Sequence, residues 1–194
     1  MDPVQFYRDN GYWLHKEPLF DTERFRRLGD LFEELLTNKD PTKRADQLDV
    51  PHFAEPRLFE FLMADEVLDL VEPFIGPHIG LWSSHFICKE PAIGRATPWH
   101  EDSAYWNGRM DQLDRIVTVW LAIDDADALN SAMKVIPGSH TGHREMTTIP
   151  SAENAMSPWA LSIRSGRVLR FFKLRISMTQ YSEPFRSMAA ARRE

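Results

Sequence analysis

Apolar positions along the chain change period twice. Asp2-Pro3 opens a helix, with Asp as N-cap and Pro at the first helical position, and Gly11 after Asn10 supplies a C-terminal stop. Tyr12-Trp13-Leu14 then reads as a short strand. Asp21 or Thr22 caps a second helix, in which Phe25, Leu28, Phe32 and Leu35 recur at helical spacing and Leu31 and Leu36 widen the stripe. The charged residues Arg24, Arg26, Arg27, Glu33 and Glu34 fall off that stripe and predict a solvated face. Residues 38–52 are polar and predict a loop, with His52 a surface histidine. Helical spacing returns over 56–75, broken near Asp65 as a cap. Leu68, Val71 and Phe74 are apolar there, and Gly76-Pro77 ends the segment.

From His78 the period falls to two. Ile79, Leu81, Ser83, His85, Ile87 and Lys89 share one alternation of a strand to Glu90, with Trp82, Phe86 and Cys88 on the other. Ile116–Ile123 is apolar on both faces, the pattern of a strand covered on two sides, and Thr118, Trp120 and Ala122 share one of them. Met133–Ile136 predicts another strand, closed by Pro137-Gly138. Residues 141–165 are turn-rich, and Arg167–Ser177 returns to strand. Helices first, then short strands parted by long loops, predict a mainly β domain with N-terminal helices. The layout is one domain: a helical part over 1–77, a β core over 78–188 and a frayed tail over 189–194.

The 194 residues, 43% hydrophobic, suffice for one packed core. The net charge of −6 disfavours nucleic acid and anionic membranes as partners, since both are polyanions. The single cysteine, Cys88, excludes an internal disulfide framework and reads as a small buried hydrophobe. No signal peptide or membrane-spanning run is visible, so a reducing cytoplasm is expected.

The chemistry concentrates in Pro98–Trp106, P-W-H-E-D-S-A-Y-W. In an extended segment His100 and Asp102 point to one side, about 7 Å apart at Cα, and both can reach one cation. A second histidine would complete a two-His, one-carboxylate facial triad, the usual non-haem Fe(II) site. The triplet alone also reads as a surface turn with a solvated Asp and a packed His, and it is all that a zinc or other metal hydrolase site of cupin type has in its favour.

The neighbourhood adds to that. K-E-P at 89–91, W-H-E-D-S-A-Y-W at 99–106, V-T-V-W-L-A-I-D-D at 117–125 and V-I-P-G-S-H at 135–140 follow one another in an order that resembles the phytanoyl-CoA dioxygenase family of Fe(II)- and 2-oxoglutarate-dependent oxygenases. The resemblance implies a double-stranded β-helix, a jelly-roll or cupin-like barrel. It implies Fe(II) and 2-oxoglutarate as cofactor and cosubstrate, dioxygen and a small organic molecule as reactants, and hydroxylation as the outcome. Carried over residue by residue, it implies His100 and Asp102 as metal ligands, Trp120 lining the cosubstrate pocket, and Ser177 with Arg186 on the far carboxylate, where a bidentate Arg contact is apt. Tyr105 and Trp106 would shape the substrate mouth. Halogenase relatives give up the carboxylate, and Asp102 is kept.

One position departs from the family pattern. The late motif H-x-S-x-x-N-x-S-x-x-x-R corresponds here to Arg175–Arg186, with Arg175 at the distal histidine and Gln180 at the usual Asn. No histidine follows His143. Arginine stays protonated and offers no lone pair. A guanidinium about 4 Å from a cation costs roughly 4 kcal/mol per unit charge at an effective dielectric of 20. His143 is the candidate substitute ligand; His140, closing P-G-S-H, is not a ligand in the family. His85, on the alternation of Lys89, reads as a satisfied core histidine. Two functions stand side by side: an active dioxygenase, and a degenerate, non-catalytic or weakly metal-binding member of the same fold.

Overall fold

The computed structural model describes residues 1–91, 94, 97, 99–102, 115–127, 130 and 132–141, and the backbone of 169–178. Its first helix, α1 (Pro3–Asn10), is capped by the Asp2 carboxylate, which accepts from the Val4 N–H at 3.1 Å. Gly11 ends it in the left-handed conformation at φ 81°, its N–H donating to Tyr7 O. Tyr12-Trp13-Leu14 forms no strand. The Phe6 ring takes Tyr12 and Trp13 edge-on, at centroid distances of 5.4 and 5.8 Å, so these aromatics pack back onto α1.

The second helix, α2 (Thr22–Thr37), starts at Asp21, whose side chain accepts from Arg24 N, and buries Leu28, Leu31 and Phe32. Its charged face is braced by ion pairs: Arg26 with Glu23 and Asp30, Arg27 with Glu60, and Arg24 with Glu66. The segment 56–75 is broken where the pattern predicts. A 3-10 turn at Pro56–Leu58 runs into α3 (Phe59–Leu62), and α4 (Asp65–Ile75) follows. Ala64, not Asp65, is the N-cap, and Asp65 lies in the first turn, where its charge favours the helix dipole. Val67, Val71 and Ile75 form the buried stripe of α4, one step round from the predicted one.

Four strands make one antiparallel sheet in the order β1-β2-β4-β3: β1 (Leu48–Asp49), β2 (Ile79–Lys89), β3 (Ile116–Ala122) and β4 (Leu169–Met178). The loop predicted over 38–52 therefore contains the short edge strand β1. Met133–Ile136 is not a strand, and Met133, Val135 and Ile136 are exposed. The helices cover one face of the sheet. Phe86 on β2 meets Phe32 of α2 at 4.4 Å between ring centroids, inside a core that takes in Leu58, Phe61, Leu62, Cys88 and Val117.

A register irregularity between Leu81 and Ser83 corrects the single alternation expected for β2. Before it, Ile79 and Leu81 pack on the helical core; after it, Phe86 and Cys88 do. The bulge exchanges the faces, so Ser83, His85, Ile87 and Lys89 lie away from the helices. On β3, Val117, Val119 and Leu121 join the core and leave Thr118, Trp120 and Ala122 on that same outer face. Among the described residues no helix is long and apolar enough to cross a membrane.

Candidate functional site

The outer face carries the candidate site. His100 Nε2 and Asp102 Oδ1 stand 3.4 Å apart, each side chain half-buried. Thr118 Oγ1 donates to the other carboxylate oxygen, Oδ2, at 3.1 Å. The hydroxyl thus holds one oxygen of Asp102 and leaves the second turned to the imidazole. The alternation of β3 places Thr118, and with it Trp120, on this face.

Lys89, the last residue of β2, is 8% exposed, and its Nζ donates to Thr97 Oγ1 at 3.0 Å. That bond ties the strand end to the segment that delivers His100. Burial depresses the ammonium pKa, partly offset by Asp46. Sequence reasoning assigned no role to Lys89 or Thr118. The signals were present: a lysine ending an otherwise apolar strand, and a threonine on the alternation of Trp120.

His100 Nε2 and Asp102 Oδ1 fit one divalent ion. At metal–ligand distances of about 2.1 Å, atoms 3.4 Å apart subtend roughly 110° at the metal. Among the described residues no group of three His, Cys, Asp or Glu stands where it can hold a metal. The register sets residue 175 opposite both Thr118 and Ser83, so the arginine at the expected distal-histidine position lies one strand from the hydroxyl that holds Asp102. Ser177 stands opposite Gly80 and Ile116. Tyr105, Trp106, His143 and Arg186 lie outside the described residues.

Three other histidines, His52, His85 and His140, make structural contacts. His52 is buried, contrary to a surface role: its Nδ1 bonds Ser84 Oγ, and its ring packs on Phe53 and Phe59. The 3-10 turn at Pro51–Phe53 folds it under the sheet edge. Burial, then the nearby His85, lowers its pKa. His85 Nδ1 pairs with Asp49 Oδ1 at 2.7 Å across the β1–β2 ladder. His140 Nε2 bonds Arg8 O at 2.7 Å, so the P-G-S-H histidine clasps the end of α1.

The fold is one that solved 2-oxoglutarate-dependent oxygenases share. SnoK, a non-heme alpha ketoglutarate dependent carbocyclase from nogalamycin biosynthesis, superposes with a TM-score of 0.69 at 18% identity, covering 90% of this chain and 82% of that one. EctD from S. alaskensis, with bound Fe, gives 0.67 at 16% identity, with 90% and 75% covered. At such identities the likeness is one of fold. Residues 7–171 match the model of the phytanoyl-CoA dioxygenase (PhyH) family, and the chain belongs to that family. The match includes Lys89, His100, Asp102, Thr118 and Trp120 and ends before Arg175. The peroxisomal phytanoyl-CoA dioxygenase of Mus musculus is 27% identical over 178 residues, covering 81% of this chain and 52% of the relative. A probable alpha-ketoglutarate-dependent hypophosphite dioxygenase of Stutzerimonas stutzeri is 29% identical over 115 residues, 57% of this chain and 39% of that protein. The chain spans about half the length, or less, of these curated relatives.

Proposed function

We propose that the chain is an Fe(II)- and 2-oxoglutarate-dependent dioxygenase that hydroxylates a small organic substrate. The observation that carries this is the His100–Asp102 pair, 3.4 Å apart and steadied by Thr118, on the sheet face of Trp120 and Lys89. Family membership supports it. On this reading the four-stranded sheet is one wall of a double-stranded β-helix, padded by the N-terminal helices.

His100 and Asp102 would hold the metal. Lys89 offers a buried positive charge to the cosubstrate, and Trp120 offers a flat apolar wall. Ser177 and Arg186 would grip the far carboxylate, Tyr105 and Trp106 would line the entrance, and His143 is the candidate third ligand. When bound, Fe(II) with 2-oxoglutarate and dioxygen supplies the oxidant, and succinate and carbon dioxide leave. The protein's work is to converge the ligands, exclude water and position the substrate. A reducing compartment, the cytoplasm on our reading, suits the single buried Cys88; the mouse and human relatives are peroxisomal by name.

A second reading rests on Arg175. Its register opposite Thr118 favours a degenerate member that keeps the fold and binds metal weakly. Two measurements separate the readings. Succinate formation with iron and 2-oxoglutarate, abolished in His100→Ala, establishes the dioxygenase. No turnover, coupled or uncoupled, together with Mn(II) binding that is unchanged in His100→Ala, leaves the degenerate reading.

A further inference from the structure

Strand β2 carries two serines side by side, and each meets a histidine. On the helical face Ser84 Oγ bonds His52 Nδ1, and the His52 ring lies against Phe53 and Phe59. Ser84 is fully buried there, and among the described residues no carboxylate hydrogen-bonds His52. On the outer face Ser83 Oγ lies 3.4 Å from His85 Nε2, and His85 Nδ1 lies 2.7 Å from Asp49 Oδ1. This second trio therefore runs from hydroxyl to imidazole to carboxylate, and it shares no residue with the His100–Asp102 pair.

The order of atoms fixes the role of each group. An ionised carboxylate only accepts, so the proton of a neutral His85 ring sits on Nδ1 and is donated to Asp49. Nε2 then carries the lone pair, and the Ser83 hydroxyl donates to it. A hydroxyl beside a basic nitrogen, in a ring oriented by a third group, is the arrangement of an activated nucleophile. The backbone builds it from three features. Ser83 and His85 stand two residues apart, just beyond the bulge, and so project to one face; bulges re-aim side chains and recur beside active sites. Asp49 is opposite His85 in the β1–β2 ladder. Val50, directly after Asp49, takes the left-handed region at φ 46°, and its N–H donates to Ser84 O at 2.7 Å. It is the one non-glycine among the described residues with a positive φ, and a β-branched residue is strained there. The turn that sets Asp49 against His85 is thus held under strain.

We infer that Ser83, His85 and Asp49 form a second reactive site, in which Ser83 takes the acyl group of a carboxylic ester and water then releases it. The inference does not rest on the dioxygenase reading. Ser83 Oγ bonds the acyl carbon as its proton passes to His85 Nε2. That proton leaves with the alcohol when the ester C–O bond breaks. Water next attacks the acyl-serine and gives a proton to Nε2; the carboxylic acid departs as Ser83 regains the proton. No oxidant or metal enters. The Asp49 side chain is 69% exposed and that of His85 19%, while Ser83 is buried. The nucleophile is sheltered and the carboxylate is solvated, so Asp49 serves chiefly to orient the ring, its charge being screened by water.

An alkyl fluorophosphonate is the probe, since a nucleophilic serine attacks its phosphorus and expels fluoride. It is applied to the full chain without iron or 2-oxoglutarate, and adducts are located by mass spectrometry of peptides. One adduct is expected, on Ser83, with none on Ser84 and none on a chain unfolded in guanidinium. The labelling rate should fall about a hundredfold in His85→Gln, the scale of a lost general base. It should fall about tenfold in Asp49→Asn, the scale of one lost orienting hydrogen bond. Hydrolysis of p-nitrophenyl acetate should follow the same order and vanish in Ser83→Ala. Circular dichroism melts of each variant report folding separately. A folded parent chain that gives no Ser83 adduct overturns the inference. So does equal labelling in a folded His85→Gln chain, for the trio then only staples β1 to β2. Should His85→Gln fail to fold, Asp49→Asn decides, and an unchanged rate there overturns the inference. Succinate formation is measured apart from this, so the two readings stand or fall separately.

Discussion

Replacing Thr118 by Val keeps the branched shape of the residue and its place in β3 and deletes one hydroxyl. That hydroxyl donates to Asp102 Oδ2 at 3.1 Å, while Oδ1 faces His100. Without it the carboxylate torsion, broad and nearly two-fold, loses that restraint. A hydrogen bond to a charged group contributes about 1.5–3 kcal/mol net. Asp102 is 20% exposed, so water replaces part of the loss and the lower end applies. A loss of roughly 1.4 kcal/mol is a tenfold change in affinity, consistent with the 10–100-fold typical of partners that orient metal ligands. Electronic effects oppose this, because an unbonded carboxylate is a stronger donor. We expect orientation to win, since the pair must converge for chelation. Mn(II) affinity, read from its paramagnetic resonance signal on titration, should fall about tenfold in Thr118→Val and further in Asp102→Asn. The melting temperature of Thr118→Val should stay close to that of the parent. An unchanged or tighter Mn(II) affinity in a folded Thr118→Val chain refutes the reasoning.

Three further outcomes follow from the same geometry. Gly11→Ala should destabilise by about 1–3 kcal/mol, because φ is 81° and an added Cβ would lie 2.6 Å from His140 Nδ1; thermal melts should show part of the loss recovered in Gly11→Ala/His140→Ala, and full additivity would count against the clasp. Stability should fall as pH drops below about 6.5, since the unfolded chain protonates His52 there while the buried ring, its pKa lowered, resists; chemical denaturation between pH 7.5 and 5.5 should give a slope that flattens in His52→Gln, and an equal slope in the variant would clear His52. Burial first, then Glu90, Asp124 and Asp46, raises the Cys88 thiol to about 12, so alkylation by iodoacetamide at pH 8 should be at least a hundredfold slower in the native chain than in guanidinium; comparable rates would show Cys88 to be accessible.

Local signals determined much of the chain by themselves. Caps at Asp2 and Asp21, the left-handed stop at Gly11 and the apolar stripe of α2 act within a few residues of one another, and so are legible without a fold. The H-x-D triplet was legible as a pair of near neighbours for the same reason, although residues 99–102 form no strand and the extended segment expected there is not seen. What depended on distant partners was not. Tyr12-Trp13-Leu14 and Met133–Ile136 have strand-like composition, but a strand needs a ladder partner, and neither has one among the described residues. The bulge between Leu81 and Ser83 lies in the pairing of β2 with β4, and it alone decides that Lys89 and His85 share a face with Thr118. His52 reads as a loop histidine until β1 pairs with β2 and carries it under the sheet edge, against Ser84. Periodicity selects elements because backbone geometry is local. Register, burial and the meeting of His100, Asp102, Thr118 and position 175 are set by which strands lie side by side, a choice made only by the packed molecule.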